Sequence, residues 1–117
     1  MKALIPKSIH GLIDYAYVPL VWAAPRLLEF KHEKSADVTC KVISAAVLGY
    51  TLTTDAPWSP IKALPYKKHL LLDEGLSVAA VAAPFVLGFQ KSARARNTLM
   101  GIGLLGLVVV LLSKTKS

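Results

Sequence analysis

A stretch of this chain recurs 59 residues further on, and it recurs with its ionisable residues in place. Pro6 falls on Pro65, His10 on His69 and Asp14 on Asp73. Ala23, Ala24 and Pro25 fall on Ala82, Ala83 and Pro84, Leu28 on Leu87 and Phe30 on Phe89. The shared pattern reads P-x3-H-x3-D-x8-A-A-P-x2-L-x-F. A fixed internal period marks a chain built from copies of one supersecondary unit. Any fold for this sequence has to be an arrangement of two like halves.

Segment lengths say what the unit is. A bilayer core of about 30 Å takes ~20 apolar helical residues, with a range of about 17–25. Residues 9–30, 38–54 and 69–89 supply three such runs and 98–113 a shorter fourth anchored by Arg96 and Lys114, with Lys41 able to snorkel from the first turn of the second. Each copy therefore spans two helices, and the second enters from the same side as the first. The fold expected is an all-α bundle of four transmembrane helices, one membrane domain over 1–117, with repeat one at about 6–55 and repeat two at about 65–114. Composition agrees. Hydrophobic residues make up 54% and charged residues 18% of the chain, below the roughly 25% charged of an ordinary soluble domain. Mean hydropathy is +0.50.

The net charge of +7 is carried by Lys and Arg in short clusters between the apolar runs. That distribution suits anionic lipid headgroups and a lipid bilayer as partner, not nucleic acid. Lys2, Lys7 and the apolar run after them imitate a signal peptide. Asp14 interrupts that run, Pro25 follows the Ala pair, and the same segment recurs later, so it reads as helix 1. The connections carry helix punctuation. Ser35 or Asp37 is expected to cap helix 2 and Asn97 helix 4. Pro57, Pro60 and Pro65 exclude one continuous helix over 55–68. Tyr15, Tyr17, Trp58 and Tyr66 fall where aromatic belts lie. Pro25 and Pro84, in the last third of their helices, read as kinks. Gly101 to Gly106 matches G-x-G-x-x-G but follows no strand. It reads as a surface for close helix approach, not a nucleotide site.

With these residues in view, the chain resembles the SPW-repeat family of small prokaryotic membrane proteins. Ala24-Pro25-Arg26 and Ala83-Pro84-Phe85 stand where that family has Ser-Pro-Trp, and the stretch from Thr54-Asp55 through Ile61-Lys62, Pro65, Lys67, His69 and Asp73 is similar to bacterial members. The resemblance implies a four-helix membrane protein of two parallel two-helix repeats and no established reaction.

His and Asp four residues apart lie on one helical face. Ionisable residues inside a span face the bundle interior or an aqueous cavity. Two copies of the pair give a cluster of His10, Asp14, His69 and Asp73, with Asp55 at the same end. Four readings follow. The cluster locks helix 1 to helix 3 by hydrogen bonds. It binds a transition metal through His10, Asp14, His69 and Asp73. It relays protons or an ion in a small transporter. Or His10 and His69 hold a haem. No nucleophile set is apparent, so the chain leans away from being an enzyme, and Cys40 reads as a small interfacial residue. Glu74 is expected to meet Lys67 or Lys68. Lys and Arg divide seven to seven between the two faces, counting Lys2 and Lys116. The even count leaves orientation in the cell membrane open. The default is both termini in the cytoplasm, and assembly into a homo-oligomer stays open.

Overall fold

The computed structural model describes residues 4–114, so Lys2 and Lys116 lie outside it. It holds four α-helices and, among these residues, no strand: α1 (Lys7–Leu27), α2 (Lys34–Leu52), α3 (Tyr66–Val86) and α4 (Ala93–Ser113). α1 packs mainly on α2 and α3 on α4, and the two hairpins meet through α2–α3 and α1–α4.

The recurring sequence pattern has a local structural meaning at both ends. Pro6 and Pro65 sit in the N-cap positions of α1 and α3, where a missing N–H costs nothing. Their carbonyls open the helical ladder by accepting from His10 N–H at 2.9 Å and His69 N–H at 3.1 Å. At the other end, P-x2-L-x-F is a helix stop. Phe30 N–H donates to the Pro25 carbonyl at 2.8 Å and Phe89 N–H to the Pro84 carbonyl at 2.9 Å. The residue before each Phe is left-handed: Glu29 at φ 61° and Gly88 at φ 80°. This is the Schellman arrangement, with the buried Phe30 and Phe89 as the accompanying apolar contacts. Pro25 and Pro84 accept the closing bonds of the last turn, a role that the kink reading missed.

The expected caps of the even helices are corrected. α2 and α4 begin at Lys34 and Ala93, so Ser35, Asp37 and Asn97 lie inside them. The N-cap residues Glu33 and Ser92 make no side-chain cap bond. The cause is the tight exit from the preceding stop. Glu33 N–H donates back to Phe30 O at 3.0 Å and Ser92 N–H to Phe89 O at 3.1 Å, so helical bonding starts at once in a polar stretch. Asp37 instead accepts from Lys41 Nζ at 3.0 Å, and the same ammonium reaches the Trp22 carbonyl at 2.7 Å.

The bundle buries a polar cluster beside its apolar core and turns many large apolar side chains outward. Fully or nearly buried are His10, Asp14, Ser44, Thr51, His69, Asp73, Ser77 and Ser113, beside a core of Val21, Phe30, Cys40, Ile43, Val47 and Leu99. Facing outward are Leu12, Leu20, Trp22, Val42, Leu71, Val78, Phe85, Leu104, Val108 and Leu111. α3 and α4 are long and apolar enough to cross a membrane. α1 is as long but carries His10, Asp14 and two internal prolines, and α2 opens with Lys34, Asp37 and Lys41. The glycines of α4 allow a close crossing. A Cβ on Gly103 would lie 2.5 Å from the Ser77 carbonyl, and one on Gly106 would overlap the Ser77 hydroxyl.

The segment between α2 and α3 folds back on itself. Asp55 N–H donates to Leu64 O at 2.6 Å and Leu64 N–H to Thr53 O at 2.7 Å. This brings Trp58 onto Gly11 of α1, where a Cβ would overlap the indole ring. The indole N–H donates to Lys7 O at 2.8 Å, and Tyr15 O–H donates to the Trp58 carbonyl at 2.8 Å. Trp58 and Tyr15 thus tie the loop to α1.

Candidate metal centre

His10 and Asp14 share the buried face of α1, and His69 and Asp73 that of α3, because four residues are close to one turn. The pairs meet between the hairpins and exchange partners. His10 Nε2 lies 2.8 Å from Asp73 Oδ2 and 3.2 Å from Asp14 Oδ2. His69 Nε2 lies 2.7 Å from Asp14 Oδ2 and 3.2 Å from Asp73 Oδ2. The two imidazoles are fully enclosed and the two carboxylates nearly so. Tyr66 stacks on His69 at 5.9 Å between centroids and meets His10 edge-on at 5.7 Å, and Trp58 closes over His69 at 5.6 Å.

The partners of the other ring nitrogens favour one assignment of the protons. His10 Nδ1 is 2.7 Å from Ser113 Oγ, and His69 Nδ1 is 2.7 Å from Thr54 Oγ1. A hydroxyl has one hydrogen. Ser113 donates its hydrogen to Val109 O at 2.6 Å, and Thr54 donates its own to Tyr50 O at 2.5 Å. Each oxygen therefore accepts, and each ring donates from Nδ1–H. In the neutral rings both Nε2 atoms are lone pairs aimed at carboxylates. Four acceptors facing one another need a shared positive charge: two protons, or one divalent cation.

The spacing accommodates either, since the 2.7 and 2.8 Å contacts are also hydrogen-bond distances. Bonds of about 2.0–2.2 Å from a metal to imidazole nitrogen and carboxylate oxygen place neighbouring ligand atoms about 3 Å apart at right angles and about 3.4 Å at tetrahedral angles. The four nitrogen–oxygen edges run 2.8, 3.2, 2.7 and 3.2 Å around the ring, and one ligand atom from each of the four residues lies within 4.8 Å of every other. Nδ1–H held by a fixed acceptor is also how ligating imidazoles are oriented. A haem fits poorly. The His10 and His69 rings stand edge to face with centroids 5.2 Å apart, and the carboxylates occupy the space between their Nε2 atoms.

Of the residues expected at the site, His10, Asp14, His69 and Asp73 come together and Asp55 does not. Asp55 is exposed. Its backbone is held by Leu64, and its carbonyl accepts from Lys7 Nζ at 3.3 Å, so the folded-back loop turns it away. Glu74 accepts from Lys114 Nζ at 2.9 Å, not from Lys67 or Lys68, because it faces the end of α4. Three residues join that sequence reasoning missed. Tyr50 O–H donates to Asp73 Oδ1. Thr54 and Ser113 orient the imidazoles, and they stand at the same 59-residue offset as the histidines. A hydroxyl residue recurring at that offset, just past the end of α2 and at the end of α4, was the signal that could have found them.

No protein-family model, curated protein or solved structure matches the chain. The resemblance to the SPW-repeat family rests on the residues quoted for it.

Proposed function

We propose that this chain is an integral membrane protein of four spans, built as two parallel hairpins, that holds one divalent transition-metal ion between His10, Asp14, His69 and Asp73. The observation that carries the metal reading is the convergence of one ligand atom from each of four buried residues within 4.8 Å of one another, with each Nδ1 placed to donate to a hydroxyl and each Nε2 turned to the carboxylates. An N2O2 donor set of imidazole and carboxylate suits iron, manganese or zinc. The membrane reading is supported by the many large apolar side chains that face outward and by the lengths of α1 and α2, 21 and 19 residues, which fall within the range for a span. An exterior of that kind is costly in water and favourable in lipid.

The test has two parts. The protein is expressed, its membrane fraction is washed with alkaline carbonate, and the retained chain is purified in detergent for elemental analysis. The expected result is retention in the membrane with close to one transition-metal ion per chain, lost in Asp14→Asn and Asp73→Asn proteins that still fold. A metal-free wild type whose stability ignores chelators and added metal would leave two shared protons as the neutralising charge and the cluster as a helix lock. Proton flux in liposomes that both Asn variants abolish would favour a transporter instead.

A further inference from the structure

Resting on that metal reading, we propose that the cavity against Asp14 and Asp73 is a pocket for an exogenous ligand of the ion, sized for one or two heavy atoms: water or hydroxide, or a diatomic gas. The cavity measures about 30 Å³ and abuts both carboxylates. Enclosing one water takes ~10–15 Å³ by that measure, so the space accepts a water or a diatomic and excludes an organic substrate.

Its walls break the repeat. Tyr17, Tyr50 and Ser77 line the cavity, whereas the residues 59 positions away from them are Leu76, Val109 and Val18. Elsewhere in the centre the copies match residue type to residue type: His with His, Asp with Asp, Thr54 with Ser113. A helix lock needs no such asymmetry. Leu76 and Val109 line the same cavity, so polar Tyr17 and Tyr50 of one hairpin share it with their apolar counterparts of the other, and the two walls differ in chemistry. Tyr50 O–H already holds Asp73 Oδ1, which leaves the Oδ2 edge of that carboxylate for the centre. Gly106 belongs to the same construction, since a Cβ there would overlap the Ser77 hydroxyl. The sites of open coordination used for chemistry on metals have this form: protein ligands on one side, and a small, partly polar space on the other.

The experiment uses the full-length protein in detergent, loaded anaerobically with ferrous iron and exposed to nitric oxide as the diatomic probe. Adduct formation is read by electron paramagnetic resonance and visible absorption. Wild type is expected to form one adduct per iron. Ser77→Leu, which fills the cavity without replacing any of the four donors, is expected to keep its iron while adduct at equal nitric oxide falls about fivefold, the low end of an overpacking penalty. Val109→Leu fills the same space from α4 and stands in if Ser77→Leu does not fold. Iron bound without any adduct in wild type overturns this inference and leaves the metal centre standing. Undiminished adduct in both filled variants also overturns it, because the ligand then reaches the iron from elsewhere. A wild type that retains no ferrous, manganous or zinc ion removes the metal reading and this pocket with it.

Discussion

His10 takes its nearer carboxylate from the other hairpin: its Nε2 is 2.8 Å from Asp73 and 3.2 Å from Asp14, one turn along its own helix. His69 does the same in reverse, at 2.7 Å from Asp14 and 3.2 Å from Asp73. The exchange converts two local i, i+4 pairs into a junction between hairpins. A buried carboxylate needs a partner. Here the nearer partner arrives only when both hairpins are in place, so an arrangement that separates them leaves each carboxylate with only the more distant histidine of its own helix.

Double-mutant cycles test the exchange. In chelator-treated protein, the cycle between His10→Ala and Asp73→Asn is expected to give a coupling of about 1.5–3 kcal/mol, the range for buried hydrogen bonds to charged groups. The cycle between His10→Ala and Asp14→Asn is expected below about 1 kcal/mol. Unfolding in detergent reads both. Equal couplings, or a larger one within α1, would contradict the crossed geometry.

The hydroxyls on Nδ1 give a second prediction. Thr54→Val and Ser113→Ala leave all four donor atoms in place and release one ring each. Loss of such an orienting partner typically lowers metal affinity about 10–100-fold. Competition against a chelating indicator is the measurement. Combined replacement should exceed either alone, since the two hydroxyls serve different rings. Unchanged affinity in both would mean that ring packing by Tyr66 and Trp58 already fixes the imidazoles.

Much of this is legible in the sequence. The offset of 59 residues placed His10, Asp14, His69 and Asp73 together, and the apolar runs located four helices to within a few residues. The partner exchange was not legible, because an i, i+4 spacing says that two side chains share a face and nothing about which neighbour they prefer. Asp55 was misplaced for a related reason: three prolines announce that the 55–68 segment bends, without saying that Asp55 N–H will pair with Leu64 and turn the carboxyl outward. Ser35, Asp37 and Asn97 were good capping residues in a stretch where the preceding Schellman turn left no gap to cap. Tyr50 had no signal at all, since its counterpart one repeat on is Val109.

The two helix stops differ in one residue, and that difference predicts a stability change. Gly88 takes its left-handed conformation freely, whereas Glu29 holds the same region with a Cβ and reaches Arg94 at 2.7 Å. A left-handed non-glycine residue costs roughly 1–2 kcal/mol. Gly88→Ala is expected to destabilise by about 1 kcal/mol. Glu29→Gly is expected to stabilise by less, because it also gives up an exposed ion pair worth about 0–1 kcal/mol. Thermal unfolding in detergent measures both, and a neutral Gly88→Ala would show that the stop does not depend on this conformation.

The last prediction concerns the loop that covers the centre. Gly11 is the floor on which Trp58 lies, and an added Cβ would overlap the indole. Gly11→Ala must therefore push Trp58 off α1, breaking its N–H bond to the Lys7 carbonyl and loosening the cover over His69. Overpacking of this kind costs about 1–3 kcal/mol. The readout is local. In a Trp22→Phe background Trp58 is the sole tryptophan, so its emission should shift to the red and its quenching by iodide should rise. Trp58→Ala supplies the control: it removes the clash, so Gly11→Ala added to it should cost little more. If Gly11→Ala instead leaves emission and quenching unchanged, Trp58 does not rest on α1, and the enclosure of His69 from the loop side fails with it.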